Sequence, residues 1–316
     1  MFHYDVKGIK IKGAELWLDA LRKVSYSFVS HGHSDHLKNH LKILATPPTV
    51  CFHALRSRQG AVQTLEFGQV YELDGARVRL FPAGHVLGSA MIHVERDDLS
   101  LLYSGDFKLR PSATCEAIEI PHADILITES TYGHPQYVVD QDREMLIEEL
   151  TGFIEDCFAD GYVPVVMAYT LGKSQEAMKI LGDRGHSVAV HPSIWQMAQV
   201  YERFGVAFSN CEPWAGAQIG PRQVLIVPPH VTFTRALQFV GRRRTVFLSG
   251  WVRRGHGPGW RTDHTIPLSD HADFYELIEF VRRVAPQKVY TTHGFANFPD
   301  HLRDLGWDAE MLVAVD

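Results

Sequence analysis

At 316 residues, with 45% hydrophobic and 22% charged side chains, the chain has enough apolar material for a substantial core, which excludes a disordered polymer, a collagen and a heptad-dominated coiled coil. Its 31 basic and 37 acidic residues give a net charge of -6, which argues against a surface that is basic all over and leaves room for a local basic groove. Cys51, Cys115, Cys157 and Cys211 form no CxxC pair, MFHYDVKGIKIKGAELW lacks the apolar core of a signal peptide, and no apolar run is long enough to span a membrane; a reducing, cytoplasmic setting without membrane association is expected.

In chain order, the β-rich run at residues 24–29 breaks into SHGHSDH, and strands that end on polar residues recur at 78–82, 101–106 and 125–129. Residues 140–160 predict an amphipathic helix whose eight acids against one arginine form a solvated outer face. A strand at 163–168, a helix from about 172, a strand near 188, a helix from 193 and strands at 224–227 and 245–249 follow; this alternation favours a parallel α/β layer. After the loop GWVRRGHGPGW, the run SDHADFYELIEFVRRV predicts a helix with Asp270 as its cap, and KVYTTHGF predicts a strand ending on a histidine.

Eighteen histidines invite a search for clusters, because imidazole is the commonest metal ligand. The segment from His31 to His36 supplies three imidazoles and a carboxylate. In an extended segment His31 and His33 project to one side, while Asp35 and His36 reach a second position. His85 in FPAGHVLGSA, Asp106 in LLYSGDF and His293 in VYTTHGF also follow strand-like runs. Five histidines and two aspartates suffice for two divalent metals if Asp106 bridges them.

HGHSDH, AGHVLGSA, SGDF and THG, in that order, resemble the signature of the metallo-β-lactamase superfamily. ITESTYG, with Glu129, and PLSDHAD, with His271, resemble motifs of its nucleic-acid-processing β-CASP branch. The run YSGDFKLRPSATCEAIEIPHADILITESTYGHP is similar to short bacterial DNA exonucleases associated with ATP-dependent DNA ligases and helicases. The resemblance implies an α/β protein: an αββα four-layer sandwich from residues 1–135 and 265–316, with a smaller α/β β-CASP cap inserted at 136–264. It implies one metal held by His31, His33, His85 and Asp106, and a second by Asp35, His36, Asp106 and His293. Zinc comes first as the ion and manganese second. Asp19, in AELWLDA, matches an early family aspartate that orients metal ligands, and its bland reading is a turn residue at a strand end. Asp35, Glu129 and His271 are the implied catalytic residues, Glu129 and His271 together as the proton donor to the leaving sugar oxygen.

A polyanion needs a basic surface, and residues 240–265 hold six arginines against one acid, a local +5 in a chain whose remainder is -11. Arg242, Arg243, Arg244, Arg253 and Arg254 are candidate phosphate contacts, with Trp251 and Trp260 as candidate stacking platforms; a solvated arginine run beside packed tryptophans is the alternative. Lys173 stands at a helix start where the family usually has arginine and is a further phosphate candidate. The loop GHGPG lacks GxGxxG spacing, so no nucleotide cofactor is expected.

The expected activity is a dinuclear metal-dependent phosphodiesterase, a DNA exonuclease of DNA repair, associated in function with an ATP-dependent DNA ligase or helicase. An RNA-processing β-CASP ribonuclease is the alternative, because the family's RNA enzymes usually carry histidine where His293 stands. A lactone or thioester hydrolase would not need Glu129, His271 and the arginine-rich insertion. A noncatalytic binding module would gain nothing from a full set of ligand-type side chains.

Overall fold

The strand Ala76–Pro82 alternates strictly between buried and more exposed residues, the period of a sheet with one face in the core, whereas Ala90–Arg96 opens with five buried residues in succession. The computed structural model describes residues 1–58, 60–252 and 262–314. They divide into two units, Met1–Gln136 with His271–Asp316, and Tyr137–Asp270.

The first unit contains two sheets. Phe2–Asp5, Gly8–Ile11, Trp17–Leu18, Tyr26–Phe28, Lys42–Ala45 and Ala61–Thr64 lie side by side in chain order, antiparallel at first and parallel from Trp17–Leu18 onward. The other sheet runs Ala309–Met311, Lys288–Gly294, Ile125–Ser130, Leu99–Tyr103, Ala90–Arg96, Ala76–Pro82, Val70–Leu73. Leu18, Phe28 and Leu44 from the first sheet share one apolar core with Val78, Leu80, Ile92, Leu101 and Ile127 from the second. Helix Pro47–Arg56 packs beside the first sheet, and helices Phe274–Val284 and Phe298–Asp304 beside the second, which completes an αββα sandwich.

Topology decides where the polar residues emerge. Leu99–Tyr103, Ile125–Ser130 and Lys288–Gly294 are mutually parallel, and Ala76–Pro82 is parallel to them through the antiparallel strand between. Their carboxyl ends, with the segments that follow, therefore deliver His85, Asp106, Glu129 and His293 to one edge of the sheet. In the other sheet, the parallel strands Trp17–Leu18 and Tyr26–Phe28 deliver Asp19 and the segment from Ser30 to His36 in the same way.

The second unit is built on a wholly parallel sheet: Cys211–Pro213, Ser187–Val190, Gln223–Val227, Val163–Met167, Arg243–Leu248, His264–Ile266. Because His264–Ile266 pairs with Arg243–Leu248, residues 265–270 go with this unit. Helices Arg143–Ala159, Lys173–Asp183 and Pro192–Arg203 contribute to one core with the sheet, and a second core gathers Trp214, Ile219, Val231, Leu237 and Val240 against it. Glu144, Glu148, Glu155 and Asp156 line the exposed face of Arg143–Ala159, the solvated acidic face read from the sequence. Among the described residues no helix is long and apolar enough to cross a membrane.

The cap of helix Phe274–Val284 corrects an expectation. Asp273, not Asp270, fills that position: its carboxylate accepts from the Glu276 amide at 2.9 Å, and Glu276 accepts from the Asp273 amide at 2.9 Å. The spacing Asp273-x-x-Glu276 makes a reciprocal capping box, for which a glutamate has the reach. Asp270 is instead ion-paired with Lys173.

Candidate metal centre

His31 and His33 meet in a loop of turns rather than on an extended segment; the His36 amide donates to the His33 carbonyl at 3.2 Å and closes the loop. Nε2 of His31 and Nε2 of His85 lie 3.1 and 3.0 Å from Nδ1 of His33. With Asp106 these residues offer four ligand atoms all within 4.8 Å of one another. Ligand nitrogens about 2.0 Å from a tetrahedral zinc stand roughly 3.3 Å apart, so the donor set fits such an ion. Burial, reinforced by the neighbouring imidazoles His36, His85 and His33, holds the His31 pKa well below its ordinary value. The neutral ring that results is the form that binds metal.

Asp106 is shared. Its Oδ2 lies 3.5 Å from His31 Nε2, 3.6 Å from His36 Nε2 and 3.9 Å from His85 Nε2, a placement suited to a bridging carboxylate. Burial and the nearby Glu129 push its pKa up to about 7, despite the opposing pull of His36. The residue before it, Gly105, has φ +52, and a Cβ there would lie 2.7 Å from the Ser30 Cβ, so only glycine lets the Asp106 loop approach the histidine loop this closely.

The other expected position is more open. Asp35 Oδ2 is 3.8 Å from His36 Nε2 and its side chain is 77% exposed, while the His293 ring centroid is 5.8 Å from that of His36. His36 thus borders Asp106 and stands near Asp35 and His293, but these residues do not converge as the first four do. His293 has φ 50 and Asp19 has φ 39, left-handed conformations uncommon outside glycine and concentrated at functional sites. Asp19 lies beneath the cluster and is bonded to His36 Nδ1 at 2.8 Å, to the Ser30 amide at 2.8 Å and to the Tyr103 hydroxyl at 2.9 Å. Burial opposes its ionisation, but His36 and the Ser30 hydrogen bonds outweigh burial and lower its pKa. Against a burial effect in the other direction, Asp19 and Asp106 push His36 up to about 10.

Glu129 and His271 form a pair beside Asp106. His271 Nδ1 is 3.0 Å from Glu129 Oε2, and its Nε2 is 4.0 Å from Asp106 Oδ2. Glu129 is 1% exposed and also accepts from the Phe107 amide at 2.7 Å and the Thr131 hydroxyl at 2.5 Å. Ser30, Tyr103 and Thr131 escaped the sequence reading. Each lies inside a quoted motif run, but a hydroxyl by itself carries no ligand signature.

The expected nucleic-acid residues are scattered. Lys173 is buried, with its ammonium ion-paired to Asp270 and 5.1 Å from the Tyr169 ring, so its charge is already engaged. Arg242 donates to the Tyr162 hydroxyl at 2.7 Å, Arg243 to the Leu237 carbonyl at 3.2 Å and Arg244 to Asp160 at 2.7 Å. Arg243 and Arg244 open the strand Arg243–Leu248, whereas Trp251 lies past its other end, edge-to-face with Tyr137. At about 3.3 Å per residue, the length of that strand, roughly 15 Å, lies between Arg243 and Trp251. Arg253, Arg254 and Trp260 lie outside the described residues.

A family model described as the Zn-dependent metallo-hydrolase RNA specificity domain matches residues 262–312. The chain is 38% identical over 317 residues to a protein of Opitutus terrae named probable DNA ligase, a match that takes in 97% of this chain and 31% of that one. It is 24% identical over 291 residues to cleavage and polyadenylation specificity factor subunit 3-I of Arabidopsis thaliana, covering 75% of this chain and 42% of the relative. With endoribonuclease YSH1 of Yarrowia lipolytica it shares 30% identity over 142 residues, 44% of this chain and 16% of the relative. The chain therefore spans less than half the length of each of these relatives. The αββα sandwich, the histidine cluster at its strand ends and the likeness to these proteins lead to one conclusion: the chain belongs to the metallo-β-lactamase superfamily, in its β-CASP branch.

Proposed function

We propose that the chain is a divalent-metal-dependent phosphodiesterase that trims the ends of DNA. The observation that carries this reading is the pairing of Glu129 with His271 directly beside the cluster of His31, His33, His85 and Asp106. These four residues would hold one ion, and Asp106, His36, Asp35 and His293 a second; zinc suits the nitrogen and oxygen donors, with manganese the other choice. Bound there, such ions acidify water and neutralise charge on phosphate oxygens. Glu129, fixed by two further donors, accepts from His271 Nδ1 and stabilises the protonated ring. Nε2, on the side of Asp106, is then placed to give a proton to the departing sugar oxygen.

DNA is favoured as substrate because the likeness that takes in nearly the whole chain is to a protein whose name is probable DNA ligase. A nuclease that prepares ends for ligation would act beside an ATP-dependent ligase or helicase. One observation favours RNA instead: the RNA specificity model covers His271 and His293. The test is to strip the protein with chelator, restore zinc or manganese, and supply DNA and RNA labelled at the 5' or 3' end. Expected is metal-dependent release of short products from DNA, lost in Asp106→Asn. Faster cleavage of RNA at internal sites would establish the RNA reading. Turnover of a lactone or thioester with both polymers left intact would overturn the nuclease reading altogether.

A further inference from the structure

The ligand-type residues come from two different sheets. His31, His33 and His36 follow a strand of the six-stranded sheet, whereas His85, Asp106 and His293 follow or end strands of the seven-stranded sheet. Apolar contacts between the sheets are non-directional and by themselves set no register between the two groups. A working metal centre needs its donors held to about 0.5 Å, so a directional link is required.

We propose that Tyr103 and Ser30, acting through the Asp19 carboxylate, are positioning residues that lock the ligands of one sheet to those of the other. This rests on the reading that these histidines and Asp106 hold metal. Tyr103 ends the strand Leu99–Tyr103 of the seven-stranded sheet, three residues before Asp106. Its hydroxyl crosses the core to Asp19 Oδ2 at 2.9 Å. The same Oδ2 takes the Ser30 hydroxyl at 2.5 Å and lies 2.8 Å from His36 Nδ1, while Oδ1 takes the Ser30 amide at 2.8 Å. All four groups are buried.

These bonds fix which ring nitrogen faces Asp106. Because the Ser30 hydroxyl proton goes to Asp19, its oxygen accepts from His31 Nδ1 at 2.9 Å, which leaves the His31 Nε2 lone pair directed to His33 and Asp106. His36 likewise gives its Nδ1 proton to Asp19 and turns Nε2 toward Asp106, 3.6 Å away. One carboxylate thus aims a ligand toward each side of Asp106, and Tyr103 ties that carboxylate to the strand that carries Asp106. The left-handed backbone of Asp19 is the kind of strained conformation that persists only where surrounding bonds over-determine it.

The test is a zinc titration of the full chain against a chromogenic chelator at fixed pH, with thermal melts in parallel. Tyr103→Phe removes one hydroxyl and no volume; removing an outer-shell partner of this kind typically weakens metal binding by about 10- to 100-fold. The expected result is a loss of that size, with Ser30→Ala weakened in the same sense. In an Asp19→Asn background the Tyr103→Phe change should have little further effect, since its partner is already altered. A role confined to stability would lower the melting temperature and leave zinc affinity as it was. Wild-type zinc affinity in Tyr103→Phe, or an equal further loss in the Asp19→Asn background, would overturn the proposal. If Tyr103→Phe does not fold, wild-type affinity in Ser30→Ala overturns it. A wild-type protein that binds no zinc removes the metal reading itself, and this proposal with it.

Discussion

At the scale of single residues, the surplus of histidines divides by environment. Five of them gather around Asp106, a sixth, His293, lies beside His36, and others are structural. His40 is 2% exposed: its Nδ1 accepts from the Val24 amide at 3.3 Å, and its Nε2 has no hydrogen-bond partner among the described residues. Burial lowers its pKa to about 4, against the opposing pull of Asp19. The neutral ring is therefore favoured in the fold, while the unfolded chain takes up a proton near the ordinary 6.5. Stability from this residue is complete above pH 6.5 and is lost as pH falls toward 4. In His40→Asn the amide oxygen can still accept from Val24, but nothing there titrates. Urea midpoints of wild type and variant, measured with chelator between pH 7 and 4.5, should show a shallower acid decline in the variant; parallel declines would exclude His40 as the cause.

At the scale of elements, the carboxyl end of Lys288–Gly294 does more than continue a sheet. It pairs in register with Ile125–Ser130 as far as Thr292 and Glu129, then shifts so that Gly294 faces Ser130 and His293 is left out of the ladder. A bulge of this kind re-aims a side chain, here the histidine beside His36. A Cβ on Gly294 would lie 1.8 Å from the Ser130 carbonyl oxygen, so Gly294→Ala must separate the two strands that carry Glu129 and His293. The expected cost is about 1–3 kcal/mol or more, measured by urea unfolding, with nuclease activity falling further than stability. Gly152, in the exposed middle of helix Arg143–Ala159, is the counterpart: a Cβ there meets nothing within 4 Å, and Gly152→Ala should stabilise by about 0.5–1 kcal/mol. Stabilisation by Gly294→Ala would refute the first account, and destabilisation by Gly152→Ala the second.

These elements also show what a sequence can disclose. Strand-then-ligand runs are local, so the β-rich stretches ending near His31, His85, Asp106 and Glu129 were readable, whereas the αββα sandwich followed only from the family resemblance that those motifs carry. The cap at Asp273 was missed because two aspartates three residues apart compete for one helix start, and only the partner Glu276 decides between them. Tyr103 and Ser30 were missed because their meaning lies in a bond to Asp19 that closes across 84 residues in one case and 11 in the other. The arginine run shows the same limit: adjacency in sequence suggested one patch, whereas the length of the strand Arg243–Leu248 lies between Arg243 and Trp251.

For the whole molecule, the order of the chain sets different conditions on the two units. Among the described residues, two cores of the second unit are drawn from within Tyr137–Asp270, and the strands of its sheet lie there too. The first unit is split: two strands of its seven-stranded sheet, Lys288–Gly294 and Ala309–Met311, and the helices Phe274–Val284 and Phe298–Asp304 come only after the second unit is complete. A fragment of residues 137–270 should therefore fold alone and unfold in urea in one cooperative transition, because it carries its full apolar core. A chain stopped at residue 270 should show that transition and no second one, since the strand next to Ile125–Ser130 is missing and the sheet is left with an exposed apolar edge. Full-length protein should recover the second transition. Circular dichroism of the three chains decides the matter: a fragment 137–270 without cooperative unfolding would mean that its cores do not suffice, and that the units depend on each other to fold.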